Sequence, residues 1–345
     1  MRLRTVLASV TAGLAVATCV AATGPANSQP RTNSCSSSVV IDGYSDALDK
    51  TEFQGTFVGN FSALALDGRG RIAALSDRSE LFTLDARTYA PRTVVHLADE
   101  EGAQLDSEGL VVERDGSRLI SSETEPSVRR YGQDGTLLGS LPVPQALRVA
   151  PAGRAGRNQT FEGLTLQPGG RTLVAAMEGP LAGDDAGIRR LQTWWRSGPQ
   201  RDFRPSAQYG YRTDTGLSIS ESTATGDGRL LVLERGFTAG VGNTVRLYLA
   251  DLSDASDVSS VEYLKEQDGV RLVRRTLLAD LVDCPSLDAP AKQPQPNPLL
   301  DNIEALAVTG HAPGGRLRLL LASDDNQNAA QITRFYRLTV RLPRH

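Results

Sequence analysis

Short runs of alternating apolar and polar residues recur along the chain, separated by turns that contain glycine. The clearest run is 161–179, FEGLTLQPGGRTLVAAMEG, where two apolar stretches flank a Pro-Gly-Gly turn. This pattern is typical of a β-hairpin. Glu162 opens the first strand and Glu178 closes the second, so we expect the two carboxylates to face each other across an antiparallel pair.

The hairpin pattern occurs five times, and further strand-like segments follow each copy. No segment keeps a helical period of 3.6 residues over three turns. Repeated four-stranded units of about 45 to 60 residues are typical of a β-propeller, in which each unit is one blade. The sequence therefore predicts an all-β propeller with five recognisable blades, a sixth being possible within 243–300. The hairpin copies are 61–78, 106–123, 161–179, 219–235 and 302–326.

Two strands before residue 61 are expected to complete the last blade beside 332–340, so that both termini close the ring. In this arrangement the first strand of each blade lines the central channel. Its start lies on the same face as the end of the second strand, so the hairpin ends should converge on one channel mouth.

Acidic residues stand near both ends of most hairpins, with Ser62 as the exception. In each copy the midpoint of the two residue numbers falls within or beside the local turn, which predicts that the two residues are cross-strand partners. The predicted pairs are Ser62 with Asp77, Glu108 with Glu123, Glu162 with Glu178, Glu221 with Glu234, and Glu304 with Asp324. Beside them we expect Asp106, Arg78, Arg235, Asn302, Asp325 and Asn326.

Carboxylates this close together cannot all stay ionised without compensating cations, because like charges raise one another's pKa. Arginine can supply part of the positive charge, and calcium, which takes six to eight oxygen ligands, can supply the rest. The predicted ligands are Asp77, Glu108, Glu123, Glu162, Glu178, Glu221, Glu234, Asn302, Glu304 and Asp324. The predicted catalytic residues are Glu162, Glu178, Glu234, Arg78 and Arg235.

A purely structural role for these residues is the open alternative. The acids would then cap strand ends and accept hydrogen bonds from turn amides, and each arginine would pair with the acid before it. Other chemistries have little support, because none of the 3 histidines suits a Ser-His-Asp triad. The sequence also lacks the GxSxG, P-loop and dinucleotide-binding patterns.

The N-terminal segment 1–26 is predicted to be a secretory signal peptide, with two arginines before an apolar run. Lipidation of Cys19 is an alternative. A linker over 27–37 and a single domain over 38–345 follow. Removing Arg2 and Arg4, the charged residues of 1–26, changes the formal net charge from -3 to -5, which argues against a nucleic-acid partner.

The mature chain keeps two cysteines, Cys35 and Cys284. In an oxidising compartment they are expected to form a disulfide, two free thiols being the alternative. We expect a secreted or cell-envelope protein that is monomeric and has no membrane span once the signal peptide is removed.

The motifs EGLTLQPGGRTLVAAMEGP, LLVLERGF, DNIEAL and LLLASDDNQ together resemble the family called esterase-like activity of phytase, or phytase-like domain. The resemblance covers about residues 50 to 340. It implies a secreted bacterial propeller whose recurring acids carry a phosphoesterase-type activity. The matching positions are Asp77, Glu108, Glu123, Glu162, Glu178, Glu221, Glu234, Glu304, Asp324 and Asp325.

Three hypotheses follow from the residues and the resemblance. The first is a secreted, calcium-dependent hydrolase that acts on a small phosphoester. The second is a calcium-dependent lactonase or carboxylic esterase, because Asn302 and Asn326 fit the ligand composition of gluconolactonase propellers. The third is a non-catalytic binding propeller with structural calcium, in which loops 142–158 and 285–298 contact a partner.

Overall fold

Each hairpin repeat forms the inner half of a four-stranded antiparallel sheet. Both faces of these sheets are apolar because each sheet packs between two neighbours, as in the strand Ile188–Trp195, where seven of eight residues are buried. The computed structural model describes residues 33–68, 70–199, 201–266 and 269–344. The predicted signal peptide and Cys19 lie outside the described residues.

Nearly all of the regular structure is β-strand, with 3-10 helices at Gln145–Leu147 and Leu281–Asp283. The strands are β1 (Val39–Ser45), β2 (Thr51–Phe53), β3 (Thr56–Val58), β4 (Phe61–Leu66), β5 (Arg71–Ser76), β6 (Glu80–Asp85), β7 (Pro91–His96), β8 (Ser107–Val112), β9 (Arg118–Ser122), β10 (Ser127–Tyr131), β11 (Leu137–Ser140), β12 (Phe161–Leu166), β13 (Thr172–Met177), β14 (Ile188–Trp195), β15 (Arg204–Arg212), β16 (Ser218–Ala224), β17 (Leu230–Thr238), β18 (Gly242–Asp251), β19 (Arg274–Asp280), β20 (Ile303–Ala312), β21 (Arg316–Ser323) and β22 (Phe335–Val340).

The described strands form five four-stranded blades, which confirms the predicted propeller. Blade 1 contains β4–β7, blade 2 β8–β11, blade 3 β12–β15 and blade 4 β16–β19. Blade 5 has the order β20, β21, β22, β1. The possible sixth blade is absent from the described part of 243–300, because β18 and β19 are the outer strands of blade 4 and the chain after them is irregular.

The two termini close the ring, but with one strand fewer than expected. β1 pairs antiparallel with β22, from Val39 opposite Val340 to Ser45 opposite Phe335. The second predicted strand, around 53–58, does not join blade 5. It folds back with its neighbour as the separate hairpin β2–β3, and its buried residue Val58 lies in the same core cluster as Phe335 of blade 5.

Residues 33–37, which fall within the predicted linker, are packed against the propeller. The backbone N of Cys35 donates to the carbonyl of Val39 at 2.9 Å, and Cys35 forms a disulfide with Cys284. The predicted disulfide is therefore confirmed. It joins the chain ahead of β1 to the segment that follows blade 4.

Side chains from adjacent blades interdigitate to form the core. Phe82 of blade 1 and Phe335 of blade 5 both pack against Phe61, with ring centroids 6.0 and 5.6 Å away. Trp194 is fully buried against Phe161, whereas its neighbour Trp195 is 48% exposed. These contacts stabilise the inner strands and so position the residues at the channel mouth. Among the described residues, no helix is long and apolar enough to span a membrane.

Candidate metal centre at the channel mouth

A β-bulge at the start of each inner strand adds one side chain at the channel mouth. In blade 3, Phe161 lies opposite Met177 and Leu164 opposite Ala175, so Glu162 and Gly163 together oppose one residue. Such a bulge re-aims a side chain that would otherwise alternate with its neighbours. The bulged residues of blades 1 to 5 are Ser62, Glu108, Glu162, Ser220 and Glu304.

The residue just after the second strand completes each hairpin end. In blade 2 the backbone N of Glu123 donates to the carbonyl of Asp106 at 2.9 Å, and in blade 3 the N of Glu178 donates to Thr160 at 2.8 Å. Asp77 and Asp324 make the same bond in blades 1 and 5. In blade 4 this ladder position is held by Arg235, which pairs with Ser218.

Blade 4 therefore departs from the predicted pattern by one residue. None of the predicted pairs is in direct register, and in blade 4 Glu221 lies opposite Leu233 and Ile219 lies opposite Glu234. What is wrong in blade 4 is the predicted place of both glutamates at the mouth, because neither lines the cavity there. The equivalent ladder positions of this blade hold Ser220 and Arg235, and of these two Arg235 lines the mouth cavity. The two glutamates are displaced to other surroundings.

Glu234 is fully buried, and its partners come from blades 3 and 4 and from the segment between them. Its Oε1 accepts hydrogen bonds from the Tyr211 hydroxyl and from Arg275, both at 2.8 Å, and its Oε2 accepts one from the Asp214 amide at 2.8 Å. Both carboxylate oxygens thus have structural partners, and the side chain does not line the mouth cavity.

Glu221 lies deeper in the channel, where its Oε1 accepts from the amides of Leu164 at 3.2 Å and Ser222 at 2.7 Å. It therefore ties the inner strand of blade 4 to that of blade 3. A Cβ at Gly163 would lie 2.8 Å from this oxygen, so the close contact requires the glycine. Glu221 is also absent from the mouth cavity.

The mouth cavity has a volume of about 430 Å³, within the range of small-molecule sites. Its one cationic lining residue among those described is Arg235, whose Nη2 lies 2.9 Å from Glu304 Oε1. Asn302 Nδ2 donates to the same Glu304 oxygen at 3.0 Å. The lining carboxyl groups are Asp77, Asp106, Glu108, Glu123, Glu162, Glu178, Glu304 and Asp324.

Burial and mutual repulsion raise the pKa of seven acids of the ring: Asp77, Glu108, Glu123, Glu162, Glu178, Glu304 and Asp324. Burial is the largest cause for Asp77, whose pKa rises to about 7, and for Glu123, whose pKa rises to about 8 with a further contribution from Glu178. The pKa values of Glu108 and Glu162 are raised well above the usual range, by burial first and by neighbouring carboxylates second. The ring therefore binds protons or another cation in preference to standing fully ionised.

Glu178 and Glu304, the two acids whose pKa the charge of Arg235 lowers most directly, show the same net direction of shift. Burial raises the pKa of both Glu178 and Glu304, and the positive charge of Arg235 offsets only part of that rise. Asp324 follows, with a pKa raised well above its usual range by burial and by Glu304. A single arginine does not neutralise the ring.

The acids include two groups whose oxygens are close enough to share a cation. Asp106, Glu108 and Glu123 form one group, and Glu123, Glu162 and Glu178 form the other, with one ligand atom from each residue within 4.8 Å of the others. Glu123 belongs to both groups. Its buried Oε1 has no hydrogen-bond partner among the described residues, so it is available as a ligand, and an all-oxygen donor set suits calcium.

Two residues that were predicted beside the acids, Arg78 and Asp325, do not line the cavity. The Arg78 side chain is 53% exposed, with Nε 3.5 Å from Asp77 Oδ1, and it does not line the cavity. The buried Asp325 accepts a hydrogen bond from the Asn60 amide at 3.1 Å and pairs with Lys50. Asn326 does line the cavity, as predicted.

Sequence reasoning missed the residues above the acids. Several amide side chains and Phe237 line the upper cavity, and they come from a long β17–β18 hairpin and from loops. The only sequence signal is the length of that hairpin, GFTAGVGNT, which extends the apolar strands past the acidic position. The missed lining residues are Asn158, Phe237, Asn243, Gln293, Asn328 and Gln331.

Comparisons with known proteins found a matching family model and a similar secreted protein. The family model "Phytase-like: Esterase-like activity of phytase" matches residues 56–327. An uncharacterized secreted protein of Arthroderma benhamiae is 27% identical over 129 residues, which is 30% of this chain and 23% of that protein. The chain thus spans less than a quarter of that relative's length.

Two solved structures are similar at low identity. One is described as a candidate gluconolactonase, with TM-score 0.39 and 16% identity, covering 82% of this chain and 75% of the other. The other contains the WD40 repeats of RRP9, with TM-score 0.38 and 11% identity, covering 89% and 98%.

Proposed function

This chain belongs to the phytase-like family, esterase-like activity of phytase, and from that premise we propose that it is a secreted, calcium-dependent hydrolase of a small phosphoester. One observation carries the proposal: eight carboxyl groups from four blades surround a single arginine in one small-molecule cavity. Such a concentration of buried acids with raised pKa values favours a site that binds cations.

The two acidic groups that share Glu123 are the proposed calcium ligands. They contain Asp106 and Glu108 on one side and Glu162 and Glu178 on the other. When bound there, calcium would supply positive charge for a phosphate group and lower the pKa of a coordinated water. Asp77, Asn302, Glu304 and Asp324 line the same cavity and complete the set of available oxygen ligands.

Arg235 is the proposed contact for the phosphoryl group. Its guanidinium lies in the cavity beside Glu304, where a charged donor stabilises negative charge that develops on a phosphate oxygen. Glu162 and Glu178, where they are not occupied as ligands, would accept a proton from the attacking water. Glu234 and Arg78 have no part in this proposal because neither lines the cavity.

A lactone or carboxylic ester is the second candidate substrate. The observation in its favour is the charge of the cavity, since eight acids and one arginine repel an anionic substrate more than a neutral one. Binding of a neutral ester would require less positive charge in the ring than binding of an anionic phosphoester.

The test is hydrolysis of p-nitrophenyl phosphate, bis-p-nitrophenyl phosphate, p-nitrophenyl acetate and gluconolactone, each with and without calcium. We expect calcium-dependent turnover of a phosphoester. Turnover of the neutral esters alone would favour the second candidate. If chelation lowers the Tm while none of the four substrates is hydrolysed, the protein is a binding propeller and the hydrolase proposal is wrong.

Export from the cell is part of the same proposal. It is supported by the signal-like sequence of 1–26 and by the Cys35–Cys284 disulfide, since disulfides persist in oxidising compartments. Intact-mass measurement of the mature protein from the culture medium tests it. A mass equal to that of the full 345-residue chain would contradict it.

A further inference from the structure

Uncharged side chains line the upper part of the mouth cavity, above the acidic ring. They come from four separate segments of the chain: the loop before β12, the β17–β18 hairpin, the proline-rich segment after β19 and the loop after β21. The residues are Asn158, Phe237, Asn243, Gln293, Asn326, Asn328 and Gln331. We call this set the amide rim.

Asn243 is the member of the amide rim whose side chain is buried without hydrogen-bond partners among the described residues. It is 1% exposed, and neither its side-chain oxygen nor its side-chain nitrogen has a hydrogen-bond partner among the described residues. A buried amide without partners destabilises the folded state. Because the side chain lines the cavity, a bound molecule that both donates and accepts hydrogen bonds would satisfy it.

The backbone around Asn243 is held firmly in place. Its amide N donates to Gln295 Oε1 at 2.8 Å. The preceding Gly242 has φ +113°, and a Cβ there would lie 2.6 Å from the carbonyl oxygen of Pro294. The hairpin and the proline-rich segment therefore support each other, and they fix the backbone that carries the Asn243 side chain at the cavity.

Phe237 lies directly opposite Asn243 across the β17–β18 ladder. It is 57% exposed although it lines the cavity. An exposed aromatic ring beside the unpartnered amide offers an apolar contact next to a polar one. Small-molecule sites commonly combine an aromatic side chain with a few fixed polar groups in this way.

We propose that the amide rim binds the hydroxyl-rich part of the substrate, a sugar or polyol, against Asn243 and Phe237. Carboxamide groups both donate and accept, as hydroxyl groups do, and they carry no charge that would favour an anion. The ring of Phe237 would contact the C–H face of the sugar. The inference rests on the proposed function in that the ester group of the same substrate would reach the acids below.

The experiment measures binding without turnover, by saturation-transfer NMR and calorimetry on the calcium-loaded mature protein. The probes are myo-inositol and D-glucose, with cyclohexanol as a ring of similar size that has one hydroxyl, and triglycine as a peptide. Two variants are compared with wild type: Asn243→Leu, which keeps the branching of the side chain without its polar atoms, and Phe237→Ala. Leu138→Ala is the matched control because Leu138 is an exposed apolar residue of blade 2 at 58%.

We expect at least one of the two polyols to bind and cyclohexanol not to bind. Each rim variant should weaken polyol binding by about tenfold or more, the size of one lost contact, and Leu138→Ala should not. Asn243→Leu should also raise the Tm of the ligand-free protein, because it removes an unpartnered buried amide. A residue with only a structural role would not lose binding while gaining stability.

Polyol binding that survives in a protein without any esterase activity would support this inference and contradict the proposed function. Ester turnover with no binding of either polyol would support the proposed function and contradict this inference. Unchanged polyol affinity in both rim variants, or binding of triglycine with loss in Asn243→Leu, would also overturn the inference.

Discussion

Blades 3 and 4 are neighbours in the ring and both begin with a hairpin rich in glutamate, yet only blade 3 contributes glutamates to the mouth. Its bulge places Glu162 at the channel mouth, and the residue after its second strand is Glu178. In blade 4 the same two positions hold Ser220 and Arg235. A displacement of one residue along each strand converts a pair of acids into a hydroxyl and a cation.

This difference shows that register, and not the presence of acids, determines which side chains meet. Side chains alternate between two sides of a strand, so a shift of one residue changes the surroundings of every group. Glu234 thereby enters a buried contact with Tyr211 and Arg275, and Arg235 supplies the one positive charge that described residues contribute to the lining of the ring.

The largest expected effect separates the glutamates of the two blades. Glu162→Gln combined with Glu178→Gln should abolish retention of calcium after desalting and lower kcat by about 10²–10³-fold, because it removes preorganised charge from the ring. Glu221→Gln is the matched control in blade 4, since its Oε1 can still accept from Leu164 and Ser222. Elemental mass spectrometry and steady-state kinetics are the measurements, and equal calcium content in the two proteins would contradict the proposed ligand set.

The next largest effect is on stability, and it tests the close contact of Gly163 in blade 3 with blade 4. Gly163→Ala should destabilise the protein by about 1–3 kcal/mol, the usual range for overpacking, because its Cβ would lie 2.4 Å from the Ser222 amide N and 2.8 Å from Glu221 Oε1. Gly169→Ala in the blade 3 turn has no atom within 4 Å of the added carbon, although its φ of +88° also disfavours alanine. Urea unfolding of both variants tests the packing contribution, which predicts the larger loss for Gly163→Ala.

The cation of blade 4 can be tested by charge removal. Arg235→Gln should raise the KM for a phosphoester by about tenfold, since hydrogen bonds to charged groups are stronger than neutral ones, and should leave the KM for a neutral ester nearly unchanged. Arg78→Gln is the control because Arg78 is 53% exposed and lies outside the cavity. An equal effect of both substitutions would show that general charge, not the position of Arg235, matters.

The smallest expected effect is the change of Tm with pH in the calcium-free protein. The folded pKa values of Asp77 and Glu123, about 7 and about 8, are above their ordinary values, so the folded state binds more protons than the unfolded state between about pH 4 and pH 8. Stability should therefore be greatest at the acidic end of that window and fall as pH rises, by about 2–4 °C in Tm per pH unit.

Scanning calorimetry in EDTA from pH 5 to pH 9 measures this slope. Calcium should flatten it, since the cation favours the ionised acids. Glu123→Gln should flatten it as well, whereas Glu125→Gln should not, because the side chain of Glu125 is 80% exposed. A Tm that rises with pH in EDTA would contradict the assigned shifts.

The fold could be predicted because a period of two and the glycine turns determine strands and hairpins locally. The predicted acids of blades 2, 3 and 5 do line one cavity, although the two acids of each hairpin are not direct partners in the ladder. In blade 4 the midpoint test failed for a simple reason: Ser220 with Arg235 has the same midpoint, 227.5, as Glu221 with Glu234. A midpoint identifies the turn of a hairpin but not which pair along it reaches the mouth, and the bulge that decides this has no sequence signal.

The amide rim could not be predicted from the sequence, for a different reason. Asn243 and Gln293 belong to segments far apart in sequence, and they come together only through the contact of Gln295 with the β17–β18 hairpin. Contacts of that kind depend on the path of an irregular segment, which neither propensity nor periodicity determines.

The pairing of β1 with β22 has a consequence for how this protein is made. Val39 is near the start of the described chain and its partner Val340 is near the end, so β1 leaves the ribosome about 300 residues before the strand it pairs with. Until it pairs, blade 5 has an open edge able to accept a strand from another molecule. A nascent or truncated chain lacking its final strand is therefore the species most prone to aggregate.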